Sequence, residues 1–287
     1  MGIYARVEGE WYNVYEGGKL GVPAGAKIKS ATVTADTTSQ PGFAIYTFTS
    51  SGSITLEEPG IVEALIVGAS GGSSVNGAAS GAGGFVEDEL YLDKTNVALP
   101  VVVGAGGASG NIGEASYIDT HTALGGGPGH RSSDPRVRYG GSGGGGGFES
   151  SAVGGPAVAT QGNPGGNGNA SAKIGGGGGG AGSAGTNAGI ESGHAEQAGH
   201  GGDGKASSIL PNGAQGMTGT MFSAGGGGAG DTGYRQGNGG SPDAGSGAAN
   251  GSSSQIGSAN SGCGTGGCYN GPAQNGTSGI VAIRVAI

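Results

Sequence analysis

Residues Gly175 to Gly180 are six consecutive glycines, and no other feature of the chain limits its fold as much. Further runs occur at Gly125–Gly127, Gly143–Gly147 and Gly225–Gly228. Glycine loses more backbone freedom on folding than any other residue, so it is a poor choice inside a helix or strand. Yet 75 of the 287 residues are glycine, where an ordinary protein carries about 7%. A chain built this way either stays unfolded, as Gly-rich segments commonly do, or packs backbone directly against backbone. The stretch Gly279 to Ile287 favours packing. It reads Gly-Ile-Val-Ala-Ile-Arg-Val-Ala-Ile, a strand-like apolar run that a flexible tail does not need.

Two ordered glycine-rich conformations remain. Collagen needs glycine at every third position and abundant proline. Here proline numbers 11 and the glycines come in blocks, which excludes collagen. Polyglycine II has three residues per turn and no internal hydrogen bonds, so its N–H and C=O groups point outward in three directions. Buried copies can satisfy one another, provided no Cβ stands between them. Such a bundle has a core of hydrogen-bonded backbone, which accounts for an aromatic content of only 5%.

The expected fold class is mostly β with polyglycine II, in four parts. Residues 1–25 form an N-terminal docking hairpin. Its strands alternate apolar and polar residues around Gly9, and they carry Tyr4, Trp11, Tyr12 and Tyr15, the aromatic types favoured at interfaces. Residues 26–120 form a β-sandwich, jelly-roll-like domain with strands at 27–35, 44–49, 53–57, 62–67, 84–91, 97–103 and 115–119, rich in Val, Ile, Thr and Tyr. Residues 121–278 form the polyglycine II domain. Glycine-rich rods are expected at 104–110, 125–129, 140–147, 162–168, 175–185, 199–204, 225–230, 237–247 and 262–271. Residues 279–287 form a closing strand that pairs with the β-domain beside 61–67.

Composition also excludes partners. The net charge of −8 repels phosphate backbones, so no nucleic-acid partner is expected. No stretch of 18 apolar residues exists, so no membrane insertion is expected. The segment Met1–Arg6 has no apolar region of a secretory signal. Exposure outside a cell would therefore follow release on a particle.

Catalytic signals are absent from the pattern. At this glycine frequency G-x-G-x-x-G arises by chance, and no G-x-x-x-x-G-K-[ST] occurs. Of four histidines, His121, His130, His194 and His200, none lies in H-E-x-x-H. His194 with Glu196 and His200 with Asp203 have ligand chemistry, but loop histidines are commoner than metal sites. No enzyme, cofactor or metal is expected. Cys263 and Cys268 are compatible with a small local disulfide or with two free buried thiols.

A bare glycine rod cannot tell one ligand from another, so specificity must lie in the loops. Tyr and Arg concentrate in binding hot spots. The candidate binding residues are Arg131, Arg136, Arg138, Tyr139, Tyr234, Arg235 and Tyr269. Phe148, Met217, Met221 and Phe222 are expected instead to plug the ends of the glycine sandwich.

Several motifs together carry a family resemblance. They are Ala44-Ile45-Tyr46-Thr47-Phe48-Thr49, Ile61 to Ala69, Gly81-Ala82-Gly83-Gly84-Phe85-Val86, Val101 to Gly107 and Ser278 to Val285. The set resembles the glycine-rich domain of bacteriophage tail proteins over residues 43–287. Tyr4-Ala5-Arg6-Val7-Glu8-Gly9-Glu10-Trp11 is similar to the start of minor tail proteins from phages of actinobacteria. The Gly-rich block resembles tail-tip adhesins of T-even-like phages, in which a polyglycine II sandwich presents host-binding loops; the fused β-domain departs from that pattern. The resemblance implies a virion protein at the tail tip, exposed extracellularly, that contacts other tail proteins and a host-envelope glycan or protein. A homotrimer follows by analogy alone. A purely architectural tail component is the alternative, and an ice-binding protein, which would need a flat regular face, is a lesser one.

Overall fold

The computed structural model describes residues 4–7, 10–13, 24–129, 139–149, 153–190 and 196–287. Among them there is no helix. Strands β1 (Tyr4–Val7) and β2 (Glu10–Asn13) form an antiparallel hairpin. Eight further strands follow: β3 (Lys27–Ala31), β4 (Phe43–Phe48), β5 (Gly52–Glu58), β6 (Gly60–Val67), β7 (Phe85–Leu92), β8 (Ala98–Val102), β9 (Ser116–Ile118) and β10 (His121–Ala123). Two short pairs interrupt the glycine-rich stretch, β11 (Gly189–Ile190) with β12 (Glu196–Gln197) and β13 (Lys205–Ala206) with β14 (Met221–Phe222). Strand β15 (Ile280–Ala286) comes after the glycine-rich stretch.

Strands β3 to β10 together with β15 build two antiparallel sheets, ordered β4-β15-β6-β7 and β10-β9-β8-β5-β3. β15 is central in its sheet. Ala282 pairs with Thr47 on one side and with Leu65 on the other. One buried cluster takes residues from both sheets, including Phe48, Val62, Ile66, Val281 and Ile283 from the first and Ile54, Leu56, Leu99, Val101 and Ile118 from the second. Burying each such side chain contributes about 1.5–3 kcal/mol.

The first sheet is covered on its other face too. Leu65, Val67, Ile280 and Ala282 point away from the shared cluster and meet Ile209, Phe222 and Ala181. Two-sided burial explains why β6 and β15 read as continuous apolar runs rather than alternating ones. Met217 packs against the same cluster. The cover ends at Arg284, whose guanidinium pairs with Glu63, donates to Gln40 Oε1 at 2.6 Å and Ser208 O at 2.9 Å, and lies 4.8 Å over the Phe43 ring.

The glycine runs are ordered by a three-residue rule. Gly175 and Gly178 donate to Ala229 and Gly226; Gly176 and Gly179 donate to Gly146 and Gly143; Gly177 and Gly180 donate to Thr186 and Ser183, all at 2.8–3.1 Å. Three neighbouring segments thus take turns as acceptors. The same alternation governs where a side chain would go. A Cβ on Gly175 or Gly178 would strike the 77–80 carbonyls, on Gly176 or Gly179 those of 163–166, and on Gly177 or Gly180 those of 200–203. Every one of these approaches is closer than the 3.0 Å that real Cβ atoms keep.

Residues 68–84, between β6 and β7, join this array. Their N–H groups at Gly77, Ser80 and Gly83 donate to Cys268, Thr265 and Gly262, again three residues apart. The segment leaves β6, turns at Val75 and Asn76, and returns to β7, with Gly68, Gly71 and Ser74 donating to Gly84, Gly81 and Ala78. Residues 104–114 likewise exchange hydrogen bonds with 69–73 and 126. The hydrogen-bonded array therefore crosses the 120/121 boundary drawn from the sequence.

Gly178→Ala should destabilise the protein by about 3 kcal/mol or more, because the added methyl meets unyielding backbone. Gly189→Ala, where no atom lies within 4 Å of the new methyl, should change stability by less than about 0.5 kcal/mol. Chemical denaturation of the two variants checks the contrast.

Candidate functional site

The segments of the array reverse direction at two ends. One end abuts the sheets, where Gln161 meets Phe85 and Leu124. At the other end lie the turns at 75–76, 169–174, 230–236, 249–252 and 269–271. They are joined there by bridges Asn76–Tyr269 and Ile174–Gly230, and by Gly251 N–H donating to Tyr269 O. Here the chain gives up glycine for larger side chains, and these turns form the candidate site.

Asp231 is the node that ties the turns together. Its carboxylate accepts the Thr232 N–H at 2.6 Å and Asn250 Nδ2 at 3.0 Å. The Tyr269 side chain and the Lys173 ammonium add to these in favouring the charged carboxylate. The Thr232 N–H bond leads these effects in holding the Asp231 carboxyl below the usual carboxylate range. Four turns distant in sequence thus share one anion.

Tyr234 is half-buried against Ala172, Ile174 and Ala198. Its turn requires Gly233, whose φ of 97° disfavours any side chain. Gln236 braces the turn, accepting the Gly230 N–H at 2.9 Å and donating to Tyr234 O at 3.0 Å. Arg235 next to it is exposed, while its carbonyl accepts the Ala198 N–H. Tyr234 and Arg235 therefore share the candidate surface.

The other candidates divide. Tyr269 is 6% exposed and stacks on Phe148 with centroids 5.0 Å apart. This corrects its assignment as a surface binding residue, because its ring is buried and packs the array closed. Tyr139 is 41% exposed, but it adjoins Gly140 and Gly141, which face Gly125 and Gly84 towards the sheet end. Arg131, Arg136 and Arg138 lie outside the described residues, as does Tyr15. Tyr4 lies on β1, and Trp11 and Tyr12 on β2. Phe222 is fully buried.

His200 has a structural setting. Its Nδ1 accepts the Asn238 N–H at 3.0 Å, which puts the ring proton on Nε2. Nε2 lies 2.7 Å from the Gln197 amide, whose Oε1 is otherwise buried without a partner. Turning that amide over lets Oε1 accept the Nε2 proton and resolves both conflicts. His130 and His194 lie outside the described residues. Among the described residues, no three His, Cys, Asp or Glu converge as metal ligands. Cys263 and Cys268 are free thiols, and burial pushes both up to about 11.

Sequence reasoning missed Lys173, Asp231 and Asn250. Isolated polar residues in loops carry no periodic signal; only the turn-forming Asp231-Thr232-Gly233 and Asn250-Gly251 marked their surroundings.

A family model described as a glycine-rich domain matches residues 49–286. The chain belongs to the glycine-rich domain family. The match runs from the end of β4 to β15, so this glycine-rich domain includes most of both sheets as well as the array. No curated protein matches it.

Asp231→Asn should flatten the acid limb of the stability curve. A depressed folded pKa adds stability above the unfolded value of about 4 and loses it as pH falls through the folded one. The difference in Tm between pH 7 and pH 3 should therefore shrink in the variant relative to the wild type. Both thiols should also resist a disulfide reagent at pH 8 in the folded protein and react once it is unfolded, as read by thiol titration.

Proposed function

We propose that this glycine-rich domain is a minor tail protein at a phage tail tip, where it presents loops for recognition of the host cell surface. In this reading the glycine runs are polyglycine II rods and the two sheets face one another as a sandwich. The observation that carries it is the gathering of the 169–174, 230–236, 249–252 and 269–271 turns at one end of a backbone-packed array, away from the sheets. The three-residue alternation of hydrogen-bond acceptors along Gly175–Gly180 supports the rod geometry.

A rigid scaffold suits recognition, since loops already held in place lose less entropy on binding. Arg235, exposed beside a braced Tyr234, is the side chain best placed to meet a receptor. The N-terminal hairpin with Tyr4, Trp11 and Tyr12 would dock to other tail proteins, and the partner at the far end would be an envelope glycan or protein. The role is binding, with no catalytic step and no cofactor.

The test is replacement of residues 231–236 by a short Gly-Ser turn in the intact particle. Adsorption to host cells should fall at least about tenfold, a loss of about 1.4 kcal/mol, while particles still assemble. Unchanged adsorption and host range would overturn the recognition role and leave the architectural one.

A further inference from the structure

One seam of the glycine array is closed by a side chain that can change its charge. Residues 235–238 run parallel to 197–201, with a bridge between Arg235 and Gln197. Two bonds are donated from the 197–201 side: Ala198 N–H to Arg235 O at 3.0 Å and Gly201 N–H to Asn238 O at 2.9 Å. The third runs the other way, from Asn238 N–H to His200 Nδ1 at 3.0 Å. Among the described residues it is the only hydrogen bond that 235–238 donates to 197–201.

His200 itself is fixed. Its N–H donates to Thr186 Oγ1 at 2.7 Å, and its carbonyl accepts the Thr186 N–H at 2.9 Å. Its ring is half-buried and borders a groove of about 280 Å3, lined also by Thr186, Ala188 and Gln197, through which solvent reaches it.

Nδ1 accepts a hydrogen bond only while the imidazole is neutral; in the imidazolium both ring nitrogens are donors. A second proton would therefore set Nδ1–H against Asn238 N–H, donor against donor. The Nε2 side is indifferent, because the turned Gln197 amide accepts from Nε2 in either charge state. Histidine ordinarily changes charge between about pH 5 and 8, so the bond is present in the neutral ring and lost as pH falls.

The surroundings do not offset that loss. Thr186, Asn187 and Asn238 on the facing segments are neutral. Glu196 and Asp203 lie on the segment of His200 and Arg235 on the facing one, and among the described residues none of them forms an ion pair with the ring. Asp203 instead accepts the Ser183 hydroxyl at 3.2 Å. The segment that His200 holds leads directly into the 230–236 turn, where Tyr234 packs against Ala198.

We propose that His200 is an acid-sensitive latch, which holds residues 235–238 and the adjoining Tyr234–Arg235 turn to the array at neutral pH and releases them in acid. Any effect on host contact rests on the recognition reading. The latch itself does not, and it is read on the free chain, so the two can fail separately.

The test is NMR of the 15N-labelled full chain, taken from about pH 8 to about pH 5. At the upper end the ring nitrogens should report the Nε2–H tautomer. As the ring titrates, the Asn238 amide should exchange about fivefold faster than its intrinsic pH dependence gives, the scale of one hydrogen bond. The amides of 234–236 should shift with the same midpoint. His200→Asn places an amide oxygen where Nδ1 stood and cannot take up a proton, so Asn238 should stay protected throughout. His200→Phe removes the acceptor, so Asn238 should exchange fast at both ends of the range. The latch is overturned if Asn238 keeps its protection while the ring titrates, if the ring gains no proton by the lower end, or if 234–236 do not respond. A pH response of Asn238 in His200→Asn equal to that of the wild type also overturns it.

Discussion

Carbonyl oxygens pressed against bare α-carbons are the contact on which the rest of this molecule depends. Along Gly175–Gly180 every position faces the backbone of another segment where a Cβ would stand, and every N–H has its own acceptor on a third segment. Such a core gains little from hydrophobic burial. Each backbone hydrogen bond adds a net of only about 0.5–1.5 kcal/mol, and glycine gives up more chain entropy than any other residue. The array must therefore be closed by ordinary packing where it ends. At the sheet end Phe222, Ile209 and Ala181 bury against Leu65 and Ile280; at the far end Phe148 stacks on Tyr269, and Tyr234 covers Ile174.

Much of this was legible in the residues. The strand segments read from Val, Ile, Thr and Tyr coincide with β3 to β9 to within a few positions, apart from β3, which stops at Ala31 where the reading ran to 35. Those strands have one or two buried faces, and burial leaves a pattern. The array leaves almost none. With three residues per repeat and a neighbour on every side, no face is polar or apolar, so the only trace is small size. That is why 68–84, written with Ala and Ser among its glycines, passed for part of the β-domain. Ala78, Ala79, Ser80 and Ala82 are fully buried there. In the candidate site, exposure of Arg235 followed from its loop, but burial of Tyr269 did not. Whether a loop aromatic points outward or back onto the array depends on Phe148, more than a hundred residues earlier in the chain.

The two ends also differ in what they can tolerate. The glycine runs are fixed by contacts that admit no methyl group, whereas the turns between them are held by a few polar nodes such as Asp231 and by local braces such as Gln236. A surface of this kind can change its side chains while its supports stay constant. Lys173 illustrates the freedom: it adopts a φ of 57° in a chain where glycine would suit that backbone better.

The position of β15 carries a consequence for how the molecule forms. It lies in the middle of its sheet, yet its two neighbours, β4 and β6, precede the entire glycine-rich stretch. Until residues 280–286 have left the ribosome, the sheet has a gap at its centre, and β4 has no neighbour to join it to β6. Pairings between such distant segments are slow to nucleate. The nascent chain must therefore hold its exposed strands apart from one another, and from other copies, for the time that the whole glycine-rich stretch takes to be made.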